Sequence, residues 1–190
     1  MIFIESYVLY YILASIGITF GYHRYFAHNE IHPIFEYLIT KAHPIVECIM
    51  LYCGILCGGQ SALSWCGIHR MHHTYSDTPQ DPHSPLYKKW YQILFSTWRI
   101  KNIPRKFVKD LYQNPRVIFF HKYGLMIMAT TWMTALYYGF FYHFLLVYVY
   151  SYVFYGMLNL LGHSKDGPVN KWWINLFAPF EGNHYDHHKG

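Results

Sequence analysis

Fourteen of the 190 residues are histidine, and nine of these sit in patterns that could gather a metal: His23-Arg-Tyr-Phe-Ala-His28, His69-Arg-Met-His72-His73, His184-Tyr-Asp-His187-His188, and His163 by itself. A neutral imidazole binds iron, zinc, copper or nickel, and it must be deprotonated to do so. Residues at i, i+3 and i+4 share one face of a helix, so His69, His72 and His73 can point into one cavity, as can His184, His187 and His188. His23 and His28 are five apart, about 140° round an α-helix, so a shared ion would need a bent helix end, whereas two different ions would not. Nine ligands exceed what one tetrahedral zinc takes, and two ions fit the count better. No thiolate falls in any cluster, which argues against iron–sulfur and structural zinc sites. A carboxylate-rich di-iron bundle needs several glutamates and two Glu-x-x-His motifs, and Glu181-Gly-Asn-His184 is the one instance present. The protease pattern His-Glu-x-x-His is absent. The other five histidines (His32, His43, His83, His121, His143) read as surface or packing residues, with His83 nearest to a cluster in Asp81-Pro82-His83.

The rest of the composition describes the setting. Hydrophobic residues make up 53% and charged residues 13% of the chain, the latter about half the roughly 25% usual in soluble domains. This excludes a disordered chain and a nucleic-acid module. The four cysteines (Cys48, Cys53, Cys57, Cys66) lie in or beside one apolar stretch without a CxxC pair, and read as small buried hydrophobes in a reducing compartment rather than a disulfide scaffold.

The clusters can meet only if the intervening elements deliver them to one side. Residues 2–22 are apolar apart from Glu5 and lack Lys and Arg, a run of about the 20 residues a crossing needs. A cleaved signal peptide is disfavoured, because a basic start and a small-residue cleavage site are both missing. Residues 124–162 carry no Asp, Glu, Lys or Arg, too long a run for one crossing, and are predicted to form a hairpin with spans at about 124–141 and 144–162, turning near Gly139 to His143. The shorter apolar run 45–58 suits an interfacial helix. All 15 Lys and Arg lie either between Arg24 and Lys122 or after His163, and the positive-inside rule turns both regions to the cytoplasm. The expectation is a single all-α integral membrane domain over 1–190. It has three transmembrane helices, an outside N-terminus, an interfacial helix and a cytoplasmic cap carrying all nine histidines. Such a site faces the cytoplasm, at the endoplasmic reticulum of a eukaryote or the inner membrane of a bacterium. The cytoplasmic loop 74–122 holds nine Lys or Arg against three acids, as a lipid-headgroup surface or as a docking face for an acidic electron-transfer partner. Such regular placement argues against a surface that merely collects adventitious metal.

At these residues the chain resembles the membrane fatty acyl desaturases, specifically their acyl-CoA Δ9-like branch. Gly17-Ile-Thr-Phe-Gly-Tyr-His23-Arg-Tyr-Phe-Ala-His28 is similar to that family's first histidine box and the helix before it. His69-Arg-Met-His-His73-Thr-Tyr-Ser-Asp77 with Asp81-Pro-His83 is similar to the second, Glu181-Gly-Asn-His184-Tyr-Asp-His-His188 to the third, and Asn159-Leu-Leu-Gly-His163 to the additional Asn-x-x-x-His. The resemblance implies His23, His28, His69, His72, His73, His163, His184, His187 and His188 as ligands of two non-haem irons, with Asn159 reaching a metal through water. It implies O2-dependent removal of two hydrogens from a saturated fatty acyl chain in a lipid membrane, with electrons from a cytochrome b5 or a ferredoxin. It places Trp65 near the substrate tunnel, and Asp77, Asp81 and Asp186 are candidates to orient the imidazoles. The family's usual layout has four spans in two hairpins, and Gly67 stands where acyl-CoA relatives can carry a basic residue. Hydroxylation of the same alkyl chains is the alternative enzyme reading, and a non-catalytic histidine-rich membrane metal-binding protein the non-enzymatic one.

Overall fold

The computed structural model describes residues 1–30, 33–97, 100 and 102–189, with the side chains of 33–42 left aside. His32, Arg99 and Lys101 lie outside the described residues. The chain opens with α1 (Ile2–Ala14), which runs directly into a π-helix, Ser15–Ala27. Tyr10, Ala14, Ile18, Tyr22 and Phe26 recur every four residues along this combined helix, and all are buried. They form one side of the main core, while Phe3, Ile4, Val8 and Ile12 face outward.

Next come α2 (Pro33–Leu56) and α3 (Ala62–Tyr75). α2 runs antiparallel to the first helix: Tyr25 meets Glu47, Gly21 meets Met50, and Gly17 meets Cys53 and Gly54. The contact at Gly17 admits no side chain, since a Cβ there would lie 2.2 Å from the Gly54 nitrogen. After a turn containing Gly58 at φ +71°, α3 climbs back along the first helix. The Tyr22 hydroxyl donates to the Gln60 carbonyl at 3.2 Å, and the Cys66 thiol donates to the Tyr22 carbonyl at 3.2 Å. The Ser61 side chain caps α3 by accepting from the Ser64 amide, which satisfies one of the free donors of the first turn. The run 45–58, expected as a short helix of its own, is thus mostly the second half of the 24-residue α2, one arm of a helical hairpin that returns its chain to the end it started from.

Beyond the short α4 (Trp90–Leu94), α5 (Pro115–Tyr137) and α6 (Phe141–Leu161) form the second long hairpin. Its helices are displaced from the expected 124–141 and 144–162. Asn114 accepts hydrogen bonds from the Arg116 and Val117 amides, and Pro115 occupies the first helical turn, so α5 starts nine residues early. The turn is three residues, Tyr138 to Phe140, made tight by Gly139 at φ +80°. α6 is parallel to the first helix: Glu5 pairs with His143, Tyr7 packs on Tyr150 and Phe154, and Thr19 meets Tyr155. The helices Ile2–Ala27 and Phe141–Leu161 are long and apolar enough to cross a membrane; α5 is long enough but carries Arg116 and Lys122 in its first turns.

The tail bears a two-strand ribbon, His163–Ser164 with Gly167–Pro168, the one sheet among the described residues. The following segment is tied along the first helix, where Tyr7, Tyr10 and Tyr11 donate to the carbonyls of Leu176, Phe177 and Asn175, and Thr19 to that of Pro179. These ties lead to α7 (His184–Lys189), beside the end of the first helix.

Candidate metal centre

Four elements end at the same pole, and each brings histidines. The first helix contributes His23 and His28. Its π-helical hydrogen bonding, with the His28 amide donating to the His23 carbonyl, stacks residue i+5 one turn above residue i. The two imidazoles, expected about 140° apart, are therefore neighbours with ring centroids 5.2 Å apart. α3 contributes His69, His72 and His73, α7 contributes His184, His187 and His188, and His163 follows α6. Gly162 lets the last approach occur, because a Cβ there would lie 2.9 Å from the His184 ring.

The nine separate into two groups whose ring nitrogens lie within 4.8 Å of one another: His23, His28, His69, His73 and His187, then His72, His163, His184 and His188. In the first, Nε2 of His23 lies 2.6 Å from Nε2 of His187, and Nε2 of His28 lies 2.9 Å from that of His69. In the second, Nε2 of His163 and His184 are 3.0 Å apart. The His73 and His188 rings stack at 4.2 Å and join the groups.

Carboxylates hold the outer edges of three rings. Glu181 lies 2.8 Å from Nδ1 of His23, Asp81 meets Nδ1 of His72 at 2.9 Å with each oxygen, and Asp77 lies 3.0 Å from Nδ1 of His163. A carboxylate at Nδ1 fixes the proton there and leaves an Nε2 lone pair aimed inward. Inward lone pairs a hydrogen-bond length apart, with the proton spent elsewhere, repel unless a cation lies between them. Among the described residues the buried Nε2 of His188 has no hydrogen-bond partner. These observations fit a metal pair, and a donor set of imidazoles without thiolates fits iron or another transition metal. Protonation does not compete near neutrality. Burial first, and then the positive neighbours, hold His28 down to about 4, His72 and His188 to about 3 and His187 to about 2. His69, His73 and His184 are lowered for the same reasons.

A cavity of about 900 Å³ opens from the histidines His23, His69, His72 and His184 and runs between Ile18, Leu63, Trp65, Tyr155 and Leu158 towards Cys57, Gly58 and Tyr148. That is near the upper end of the roughly 300–1,000 Å³ typical of ligand pockets. Trp65 stacks on His69 at 4.9 Å and 20°, and Asn159 lines the same wall. A smaller cavity of about 240 Å³, lined by Arg24, Glu30, Asn183 and Asp186, reaches His23 and His187 from the other side.

Of the acids expected near the imidazoles, Asp77 and Asp81 are in place and Asp186 is not. Its exposed carboxylate accepts from the Asn170 side chain at 2.8 Å, because the helical turn that points His184, His187 and His188 inward turns residue 186 outward. Glu181 fills the role instead. In the sequence Glu181 stands out only as part of the Glu-x-x-His motif, and its place three residues before His184 is the available signal. His83, read as a surface or packing residue, is buried against His72 at 4.3 Å, with its amide donating to Asp81. His43, His121 and His143 have partners away from the centre in Glu47, Ser61 and Glu5. Gly67 is also explained by packing, since a Cβ there would lie 2.7 Å from both Ile103 and Val108, leaving no space for a basic side chain.

The sequence profile described as Fatty acid desaturase matches residues 5–189. The sn-1 stearoyl-lipid 9-desaturase of Anabaena variabilis is 27% identical over 95% of this chain and 69% of its own length. The sn-1 stearoyl-lipid 9-desaturase of Synechocystis sp. is 28% identical over 96% of this chain and 59% of its own. Delta-9 acyl-lipid desaturase 2 of Arabidopsis thaliana is 27% identical over 95% and 61%. The chain thus spans between 59% and 69% of the length of these curated relatives. A profile match over nearly the whole chain, on a molecule whose histidines gather at one pole, leads to one conclusion: the chain belongs to the fatty acid desaturase family.

Proposed function

We propose that the protein desaturates a saturated fatty acyl chain at a non-haem di-iron centre, probing Δ9-type positions as its relatives' names suggest. The convergence of nine imidazoles into two groups beside a cavity whose wall includes Ile18, Leu63, Trp65 and Leu158 carries this reading. The ligands are His23, His28, His69, His73 and His187 for one ion and His72, His163, His184 and His188 for the other, with Asn159 acting through water. When bound, the irons supply O2 activation strong enough to take hydrogen from an unactivated methylene. Two hydrogens leave adjacent carbons, and with two electrons and two protons from a donor, O2 becomes two waters.

The chain's own residues do the positioning. Glu181, Asp81 and Asp77 fix the tautomer and tilt of three ligand rings. Trp65, Leu63 and Tyr155 wall the slot in which the acyl chain lies, excluding water and presenting one stretch of methylenes to the histidines. Electrons come from a cytochrome b5 or ferredoxin type of donor, for which the basic 74–122 surface offers a docking face.

The membrane reading follows from helix direction. The first helix and α6 run parallel and α5 returns, which supports three crossings with the nine clustered histidines on one side, and the charge pattern favours the cytoplasm for that side. α2 packs along the first helix past Gly17, where Cys53 and Gly54 meet it, and ends at Leu56 beside the end of α1, short of the far end of that helix. The α2–α3 hairpin then enters and leaves by the same face.

Expression in a desaturase-deficient host, with gas chromatography of its lipids and iron analysis of the purified protein, tests the reading. Olefinic acyl chains and about two irons per chain are expected. Hydroxylated chains would make it a hydroxylase, and stoichiometric zinc without iron would overturn it.

A further inference from the structure

Arg70 sits between two of the proposed ligands in sequence, about 100° round α3 from the face that carries them. Its guanidinium uses every donor it has. Nε donates to the Ala27 carbonyl at 2.8 Å, Nη2 to the Phe26 carbonyl at 2.7 Å and Asp110 Oδ2 at 2.8 Å, and Nη1 to the Phe107 carbonyl at 2.9 Å and Asp110 Oδ1 at 2.7 Å. Five donors meet five acceptors.

Those acceptors lie on two segments that otherwise have separate tasks. Phe26 and Ala27 form the last turn of the first helix, where carbonyls lack partners within the helix and the negative end of the helix dipole favours a cation. The next residue is His28. Phe107 and Asp110 belong to the loop whose Ile103 and Val108 line the acyl cavity and press on Gly67 of α3. Arg70 and Asp110 are also unequal in exposure: the arginine side chain is 17% exposed and the aspartate 50%. The arginine therefore works from inside the junction, and the aspartate closes it from the surface.

We propose that Arg70 is a positioning residue that sets the first histidine group, by locking the end of the first helix and so His28 against α3, and that through Asp110 it also latches the 103–111 wall of the acyl cavity. This rests on the ligand assignment proposed above. The two tasks separate chemically. The helix end is gripped by Nε and Nη2 through carbonyls, which Asp110 does not supply. The wall is gripped through Asp110 and the Phe107 carbonyl. Lysine retains the charge but cannot span both segments, because its ammonium is a single point where the guanidinium is a planar fork.

The test uses the full chain in detergent, with cobalt(II) titrated as an optical metal probe and amide hydrogen exchange measured on metal-free protein. Wild type is expected to take two cobalt ions. Arg70→Met should bind one as before and the other with about 10- to 100-fold weaker affinity, with faster exchange over both 24–30 and 103–111. Asp110→Asn should keep both cobalt affinities and show faster exchange over 103–111 alone. Arg70→Lys should fall with Arg70→Met in metal binding if the fork matters, and with wild type if only charge does. Two cobalt ions at wild-type affinity in Arg70→Met, wild-type behaviour of Arg70→Lys, or equal loss of metal in Asp110→Asn would each overturn the proposal. Should Arg70→Met fail to fold, the Arg70→Lys and Asp110→Asn pair decides. If wild type takes fewer than two cobalt ions the ligand assignment fails instead, and the exchange comparison still reads the latch.

Discussion

The second histidine group is the better sheltered of the two. His72, His163 and His184 are buried, and two aspartates from one short loop brace two of its four rings. Asp81 also accepts from the amides of Asp77 and His83, so this brace is itself fixed in place. In the first group only His23 is fully buried, Glu181 alone supports it, and the smaller polar cavity reaches His23 and His187. Shelter and bracing go together, so the two metals should differ in how tightly they are held and how readily they exchange.

The largest effects come from deleting a ligand. His72→Ala and His187→Ala should each abolish desaturation, and metal analysis should show each variant near one ion per chain, lost from opposite groups. Chelator treatment of the loaded wild type should be biphasic, with the first half of the iron released faster, and His187→Ala should remove the fast phase. A single phase would end the proposed inequality. Loss of a carboxylate should cost less, about 10- to 100-fold in metal affinity. Glu181→Gln should weaken the fast-exchanging ion, and Asp81→Asn the slow one. Acid provides a milder probe of both groups together. Folded imidazoles such as His28 and His72 stay neutral to about 4 and about 3, whereas unfolded ones protonate near 6.5. The unfolded chain gains protons first as pH falls, so the metal-free protein should lose stability from about pH 6.5 downward and change little above 7. A melting temperature that rises on acidification would contradict this. Asp186→Asn should be the smallest effect, with metal content and activity close to wild type, because its carboxylate serves Asn170 and not an imidazole.

The sequence made the histidine constellation legible because i, i+3 and i+4 spacing is a local rule, and it made the long hairpin legible because a 39-residue uncharged run has few solutions. Features set by distant contacts were harder to read. The start of α5 depends on Asn114 and Pro115, a signal present in the sequence but hidden by the charges that follow it. The full length of α2 is set by its packing on Gly17 and Gly21, which hydropathy alone does not register. Asp186 was misplaced because nearness in sequence to a ligand is no guide to direction on a single helical turn. Glu181 and Arg70 act across 158 and 44 residues respectively, and no window along the chain shows either contact.

The wide coil at the end of the first helix carries a lesson for other sequences. Two metal-binding side chains five positions apart look mismatched to anyone counting 3.6 residues per turn, and the usual response is to assign them to different sites or to a loop. Where such a pair closes a long apolar helix, the interval is better taken as an instruction about winding. The backbone slackens by one residue per turn, and the odd spacing becomes a matched pair of claws. Removing a single residue between Arg24 and Ala27 would be expected to keep the pair matched only by rewinding that end to the ordinary α-helical pitch, with every ligand still in the chain.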